Sequence, residues 1–138
     1  MARPTSGGTD MHEIRIAVMV LATAALAACA TPGPTSPAKV EGGVLTNPAG
    51  MTLYTFDRDA SGSGKSVCNG PCAANWPPFL VAGEIQATAD WSVVVRDDGG
   101  RQWAYLGKPL YTWVKDTKPG DRTGDGVNNV WRVAKPGP

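Results

Sequence analysis

Three groups of side chains in this sequence have the types and spacing to do chemistry. The first is a phenol followed five residues later by a carboxylate, and it occurs twice: Tyr54 with Asp59, and Tyr111 with Asp116. A phenol donates a hydrogen bond and a carboxylate accepts one, so each pair has the makings of a small polar ligand site. The second group is Cys68 and Cys72, which enclose Asn69-Gly70-Pro71. Such a pair serves as a structural disulfide, as a redox couple or as soft metal ligands. The third is Asp121, Thr123, Asp125 and Gly126, whose spacing copies the opening of a calcium-binding EF-hand loop.

Each group also has a plainer reading. The twelfth position of the calcium loop is Arg132, where a bidentate Glu is required, and no helix pattern flanks it, so the segment reads as an Asp- and Gly-rich turn. The Cys spacing is neither the Cys-x-x-Cys of disulfide oxidoreductases nor the haem-attachment motif. The single His is His12, so a metal held by the two Cys would have to complete its shell from Met51, carboxylates or water. That poverty of ligands favours a structural disulfide and no metal. Closing so short a loop contributes roughly 2 kcal/mol on loop-entropy grounds. For the Tyr-Asp pairs, Tyr anchors a sheet and Asp caps the turn that ends the strand. Repetition favours this role, because repeated motifs mark the geometry that each unit must reproduce. Without a His base, a Ser or Cys nucleophile would need Lys or a carboxylate, and no spacing singles out a carboxylate pair. No catalytic residue and no cofactor is therefore assigned.

The elements that carry these residues form an internal repeat. Leu53-Tyr54-Thr55-Phe56-Asp57-Arg58-Asp59 returns as Leu110-Tyr111-Thr112-Trp113-Val114-Lys115-Asp116, at a constant offset of 57 residues, and a Gly precedes each at Gly50 and Gly107. Strand alternation puts Tyr54 and Phe56 on one face and Met51, Leu53 and Thr55 on the other. Phe56 and its counterpart Trp113 thus share the motif, as candidates for a ligand site or for sheet structure. Short runs rich in β-branched and aromatic residues, at 44–46, 51–56, 79–82, 91–96, 102–106 and 130–133, alternate with turns rich in Gly, Pro, Asn and Asp. The expected fold is all-β: a small antiparallel domain over 43–135, built from repeat 1 (about 43–82) and repeat 2 (about 91–134), with at most a helical turn near 72–76 stopped by Pro77-Pro78. The five Trp fill the small core, which leaves one or two of them for a stacking surface.

Before this domain the chain reads differently. Ile16 to Ala28 is apolar apart from Thr23, yet shorter than the ~20 residues that span a bilayer, and suits the core of an export signal. Leu26-Ala27-Ala28-Cys29 resembles the bacterial lipoprotein signal, in which the Cys receives a diacylglyceryl group and its new amino group a further acyl chain such as palmitate. Residues 1–28 are then the signal peptide, with Met11 a candidate true start, Cys29 is the lipidated residue, and 29–42 is a Pro-rich tether without a fold. With 13 Lys and Arg against 12 Asp and Glu, no basic field exists to attract nucleic acid.

The paired Tyr-x-Phe/Trp-x-x-Asp segments, Cys68-Asn69-Gly70-Pro71-Cys72-Ala73-Ala74-Asn75-Trp76-Pro77-Pro78, and Gly107-Lys108-Pro109-Leu110-Tyr111-Thr112-Trp113 resemble the bacterial secreted-repeat family of predicted lipoproteins. The likeness covers roughly residues 43–134. It implies an exported, lipid-anchored, all-β repeat protein and no established activity, so it supplies no catalytic residues. The expectation is a non-enzymatic cell-envelope lipoprotein that binds an envelope protein, a polymer or a small ligand. The alternative is an envelope redox or electron-transfer accessory using Cys68 and Cys72. The membrane is the one partner expected outright, through Cys29. The anchor lies on the periplasmic face of the outer membrane in a Gram-negative cell, as Ala30 suits outer-membrane sorting, and otherwise on the outer face of the cytoplasmic membrane.

Overall fold

A computed structural model describes residues 35–138, together with the isolated positions 4 and 7. The signal segment, the start at Met11, lipidation at Cys29 and the first residues of the tether lie outside the described residues. Among those described, the elements in order are β1 (Lys39–Glu41), β2 (Val44–Thr46), β3 (Tyr54–Phe56), α1 (Pro71–Asn75), β4 (Trp91–Val95), β5 (Arg101–Tyr105), β6 (Lys108–Pro109), a 3-10 turn (Val127–Asn129) and β7 (Trp131–Val133). The fold is mostly short strands in antiparallel sheets, with one short helix, as the spacing of strand and turn signals leads one to expect.

β1 and β2 form a hairpin in the register Lys39↔Thr46. Gly42 and Gly43 have φ of 57° and 79°, the two left-handed positions that a tight two-residue hairpin turn requires. The turn draws 39–41 into the fold, although sequence alone places these residues in the tether. β4, β5 and β6 make a second sheet in that order, with Val93 opposite Trp103. α1 begins with Pro71 in its first turn, where a missing N–H costs nothing, and Pro77 and Pro78 follow its end.

The third sheet is where the repeats meet. β3 pairs with β7, Phe56 opposite Trp131 and Tyr54 opposite Val133, so the last strand of repeat 2 lies on the motif strand of repeat 1. The converse holds as well: Pro78, at the end of repeat 1, bridges to Tyr111 in the motif of repeat 2. Matching hydrogen bonds run from Ala134 N to Leu53 O and from Phe79 N to Leu110 O, both 2.8 Å. Between the two motifs, Tyr54 N donates to Tyr111 O (2.8 Å) and Tyr111 N to Tyr54 O (3.0 Å). The strand expected at 79–82 is reduced to isolated bridges at Pro78 and Leu80, because this segment meets the other repeat at single points, and through these bridges and the β3–β7 pair the repeats are interlaced.

Two apolar clusters result, and the motif strands divide them. Leu53 and Leu110, both fully buried, enter a cluster with Leu45, Trp91, Trp103 and Ala134. The next residues, Tyr54 and Tyr111, enter the other cluster with Phe56, Cys68, Trp76 and Trp131. Strand alternation alone dictates this division. In the second cluster four rings form one stack in the order Phe56, Trp131, Trp76, Trp113, with centroids 4.3, 3.8 and 3.9 Å apart. Tyr54 meets Trp76 edge-on at 5.4 Å and Tyr111 meets Trp131 edge-on at 5.1 Å, so the stack has the same two-fold pattern as the strands. Such ring pairs contribute ~0.5–1.5 kcal/mol each beyond the area they bury.

Gly124 closes one side of the stack. A Cβ at this position would lie 2.7 Å from the Trp76 indole and 2.9 Å from the Tyr54 ring, neither of which can turn away inside the stack. Gly124→Ala is expected to lower the stability by roughly 1–3 kcal/mol, the usual cost of overpacking. Urea unfolding checks this as a lower midpoint at unchanged slope; an unchanged midpoint would mean that the stack yields.

Candidate functional site

The phenols and carboxylates of the two motifs bond to one another, each Tyr to the Asp of the other repeat. The Tyr54 hydroxyl donates to Asp116 Oδ2 at 2.6 Å, and the Tyr111 hydroxyl to Asp59 Oδ2 at 2.5 Å. Tyr54 and Tyr111 are 0 % exposed, Asp59 1 % and Asp116 7 %, so none of the four groups faces solvent. The antiparallel bridge explains the exchange. With Tyr54 opposite Tyr111, the two motifs are related by an approximate two-fold axis, and each phenol lies against the turn of the other repeat.

The second oxygen of each Asp ties down the loop that follows it. Asp59 Oδ1 accepts from Val67 N (2.8 Å), and Asp116 Oδ1 accepts from Thr123 N (3.0 Å) and Thr123 Oγ1 (2.6 Å). The capping role read from sequence is thus combined with a bond to the opposite repeat. Gly124 N adds a hydrogen bond to the Tyr54 hydroxyl (3.2 Å), and Ser66 Oγ lies 2.6 Å from that of Tyr111.

Beyond Ser66 the network reaches a buried cation. Arg96 donates to Ser66 Oγ (3.0 Å), Gln102 Oε1 (2.8 Å), Cys68 O (2.6 Å) and Asn69 Oδ1 (3.3 Å). Asp59, Tyr111, Ser66 and Arg96 thus form one chain from anion to cation, the arrangement that makes burial of both charges tolerable. Burial pushes the Asp59 carboxyl above the usual carboxylate range, opposed by its bonds from the Tyr111 hydroxyl and the Val67 N–H. Burial, with the hydrogen bond to the neighbouring Asp, holds both tyrosine phenols well above their usual value. The phenols stay protonated as donors, and these corners act as joints between the repeats.

Cys68 and Cys72 are joined as a disulfide. Cys68 is fully buried against the aromatic stack, whereas Cys72, on α1, is half-buried and lines an open groove of about 420 Å³. Phe56, Trp76 and Trp131 form the floor of that groove, and Arg58, Asn75 and Asn128 are exposed on its rim. Asn128 and Asn129 are both left-handed, at φ of 50° and 57°, a conformation that costs energy in any residue but Gly and is least unfavourable for Asn. A second hollow of similar volume, beside Pro37, Phe79 and Trp103, has a more apolar lining.

The remaining candidates take structural places. Asp121 Oδ2 accepts from the N–H groups of Thr117 (2.9 Å) and Lys118 (3.2 Å), and Asp125 Oδ1 from Val133 N (3.2 Å), so the calcium-like spacing serves turns. Among the described residues no group of three or more His, Cys, Asp and Glu converges. Trp113 ends the aromatic stack, half-buried, with Lys115 Nζ 5.6 Å from its ring centre. Arg96, Ser66 and Thr123 carry no local signal that sequence reasoning can detect. Arg58 does carry one, since Lys115 repeats a basic residue at its position, 57 residues on.

Comparison with known proteins gives a family match. The family model Lipoprotein_15, described as "Secreted repeat of unknown function", matches twice, over residues 38–79 and 92–135. No curated protein and no solved structure matches the chain.

The exchanged pairing has two measurable consequences. In double-mutant cycles, Tyr54→Phe with Asp116→Asn is expected to couple by ~0.5–3 kcal/mol, while Tyr54→Phe with Asp59→Asn adds to within ~0.5 kcal/mol. The second consequence concerns alkali. A phenol whose pKa is raised by folding contributes stability that is whole below the unfolded value of about 10 and is lost as pH rises past it. Stability is therefore expected to fall above pH ~10 by up to about 1.4 kcal/mol per pH unit for each tyrosine, and Tyr54→Phe and Tyr111→Phe each to remove one share of that slope in denaturant titrations.

Proposed function

Because this chain belongs to that family of secreted repeats, we propose that it is a non-enzymatic binding module, held at a membrane through lipid on Cys29, whose groove beside Trp131 receives an envelope protein or polymer. The groove itself carries this reading. In it an aromatic floor, an exposed Arg58 without hydrogen bond or ion pair among the described residues, and two exposed Asn side chains face one open space. The Tyr and Asp of the motif, by contrast, are spent on one another.

The anchor rests on Leu26-Ala27-Ala28-Cys29 and the Pro-rich segment after it. Two or three acyl chains give stable attachment where one is marginal. Among the described residues no helix is long and apolar enough to cross a membrane. Ala30 after the lipidated Cys suits the periplasmic face of an outer membrane, and in a cell without one the anchor faces outward from the cytoplasmic membrane. A second reading, an envelope redox accessory, is favoured by one observation: Cys72 lines the groove while Cys68 is buried, so an incoming thiolate would meet Cys72 and displace Cys68.

Cys29→Ser is expected to move the protein from the membrane fraction to the soluble one. From solubilised envelope, the wild-type protein is expected to retain a partner that Arg58→Glu loses; equal retention by both would remove the groove from the reading. A two-electron potential above about −300 mV would move the balance to redox chemistry.

A further inference from the structure

We propose that the groove takes a saccharide bearing a carboxylate; this rests on the reading of the groove as the binding site. The argument starts from the places where the two-fold pattern fails. Arg58 and Lys115 hold the same position in the two repeats, each two residues beyond an end ring of the stack, Phe56 or Trp113. Lys115 is engaged over the ring of Trp113, whereas Arg58 stands on the rim of the groove without a partner among the described residues. The disulfide, too, occurs in the first repeat alone, and it pins α1, which supplies Cys72 and Asn75 to the same groove. Both departures from symmetry meet at one place.

The chemistry of the lining selects the ligand. No acidic side chain lines the groove, and Asp57, next to Arg58, is already paired with Arg132 at 3.3 Å. The groove thus presents one uncompensated guanidinium, whose planar fork matches a carboxylate. The indole faces of Trp76 and Trp131 are covered within the stack, so these rings turn their edges to the groove. Ring edges carry the positive end of the aromatic quadrupole and favour an electron-rich oxygen over a cation. Asn75 Nδ2 donates to Pro71 O at 3.0 Å, which leaves its carbonyl oxygen as an acceptor, and the Asn128 amide has no partner among the described residues. Donors and acceptors side by side match hydroxyl groups, which both give and take a hydrogen bond. A volume of about 420 Å³ is that of a small-molecule site, larger than a bare inorganic anion fills. An apolar ligand would leave Arg58 and the amides unpaired.

The test is a calorimetric titration of the full-length protein with a uronic acid trimer, with a neutral glucose trimer and inorganic phosphate alongside. The uronate is expected to bind at least about tenfold more tightly than either, and Arg58→Met to abolish that preference, as loss of a charge-assisted pair would. Asn128→Gly is the second variant. Glycine relieves the left-handed strain, so the melting temperature is expected to stay level or rise while uronate affinity falls by about fivefold or more. Equal affinity for acidic and neutral trimers, phosphate binding as tight as the uronate, or no effect of Arg58→Met would overturn the proposal. Absence of saccharide binding alongside an envelope partner that depends on Arg58 would overturn the ligand class and leave the binding module standing.

Discussion

Two backbone hydrogen bonds between Tyr54 and Tyr111 set the register on which the rest of the domain depends. They centre the two motifs on one point and run them antiparallel, so that β3 pairs with β7 and Pro78 bridges to Tyr111, each joining one repeat to the other. A slip of one residue would send each Tyr into the leucine cluster and each Leu against the tryptophans. Neither cluster tolerates that exchange, since Leu53 and Leu110 have no polar atom to offer Asp116 and Asp59. The register is thus held by the polar bonds on one face and by apolar packing on the other.

The polar bonds withstand burial because both oxygens of each Asp and both phenols have partners. Each Asp uses one oxygen on the phenol of the other repeat and one on its own loop, and the chain from Asp59 through Tyr111 and Ser66 ends at Arg96. A network satisfied in this way specifies one arrangement, whereas the same groups left unpaired would be costly. The aromatic stack lies on the same axis, with Trp76 from one repeat against Trp131 from the other at 3.8 Å. Half of this chain alone would lack a partner strand, half of the stack and one member of every Tyr-Asp bond.

Symmetry makes the fold, and its loss opens a face where the stack, the disulfide and a cation without a partner among the described residues come together. A symmetric joint uses its polar groups internally and leaves few for a ligand. The first repeat departs from that economy, with a disulfide that holds α1 in place and an Arg58 that has no partner among the described residues where Lys115 is engaged, and the second repeat adds the left-handed Asn128 at the rim. The residues that line this groove therefore include positions where the repeats differ.

Much of this was legible in the sequence, because strand alternation and turn chemistry are local. The all-β class, the two repeats, the helical turn before Pro77-Pro78, the Cys68–Cys72 disulfide and the shared face of Tyr54 and Phe56 all follow from neighbouring residues. The entry of 39–41 into the fold was obscured by the prolines just before it, although the Gly42-Gly43 turn is itself a local signal. Only the tertiary structure decided the partners. Whether Tyr54 meets Asp59 or Asp116 depends on which strand lies alongside, and two near-identical motifs offer equal local chemistry for both outcomes. Arg96, a lone basic residue before a turn, became a buried counter-charge for the same reason: burial is a property of what packs against a residue, and a single chain position does not state it.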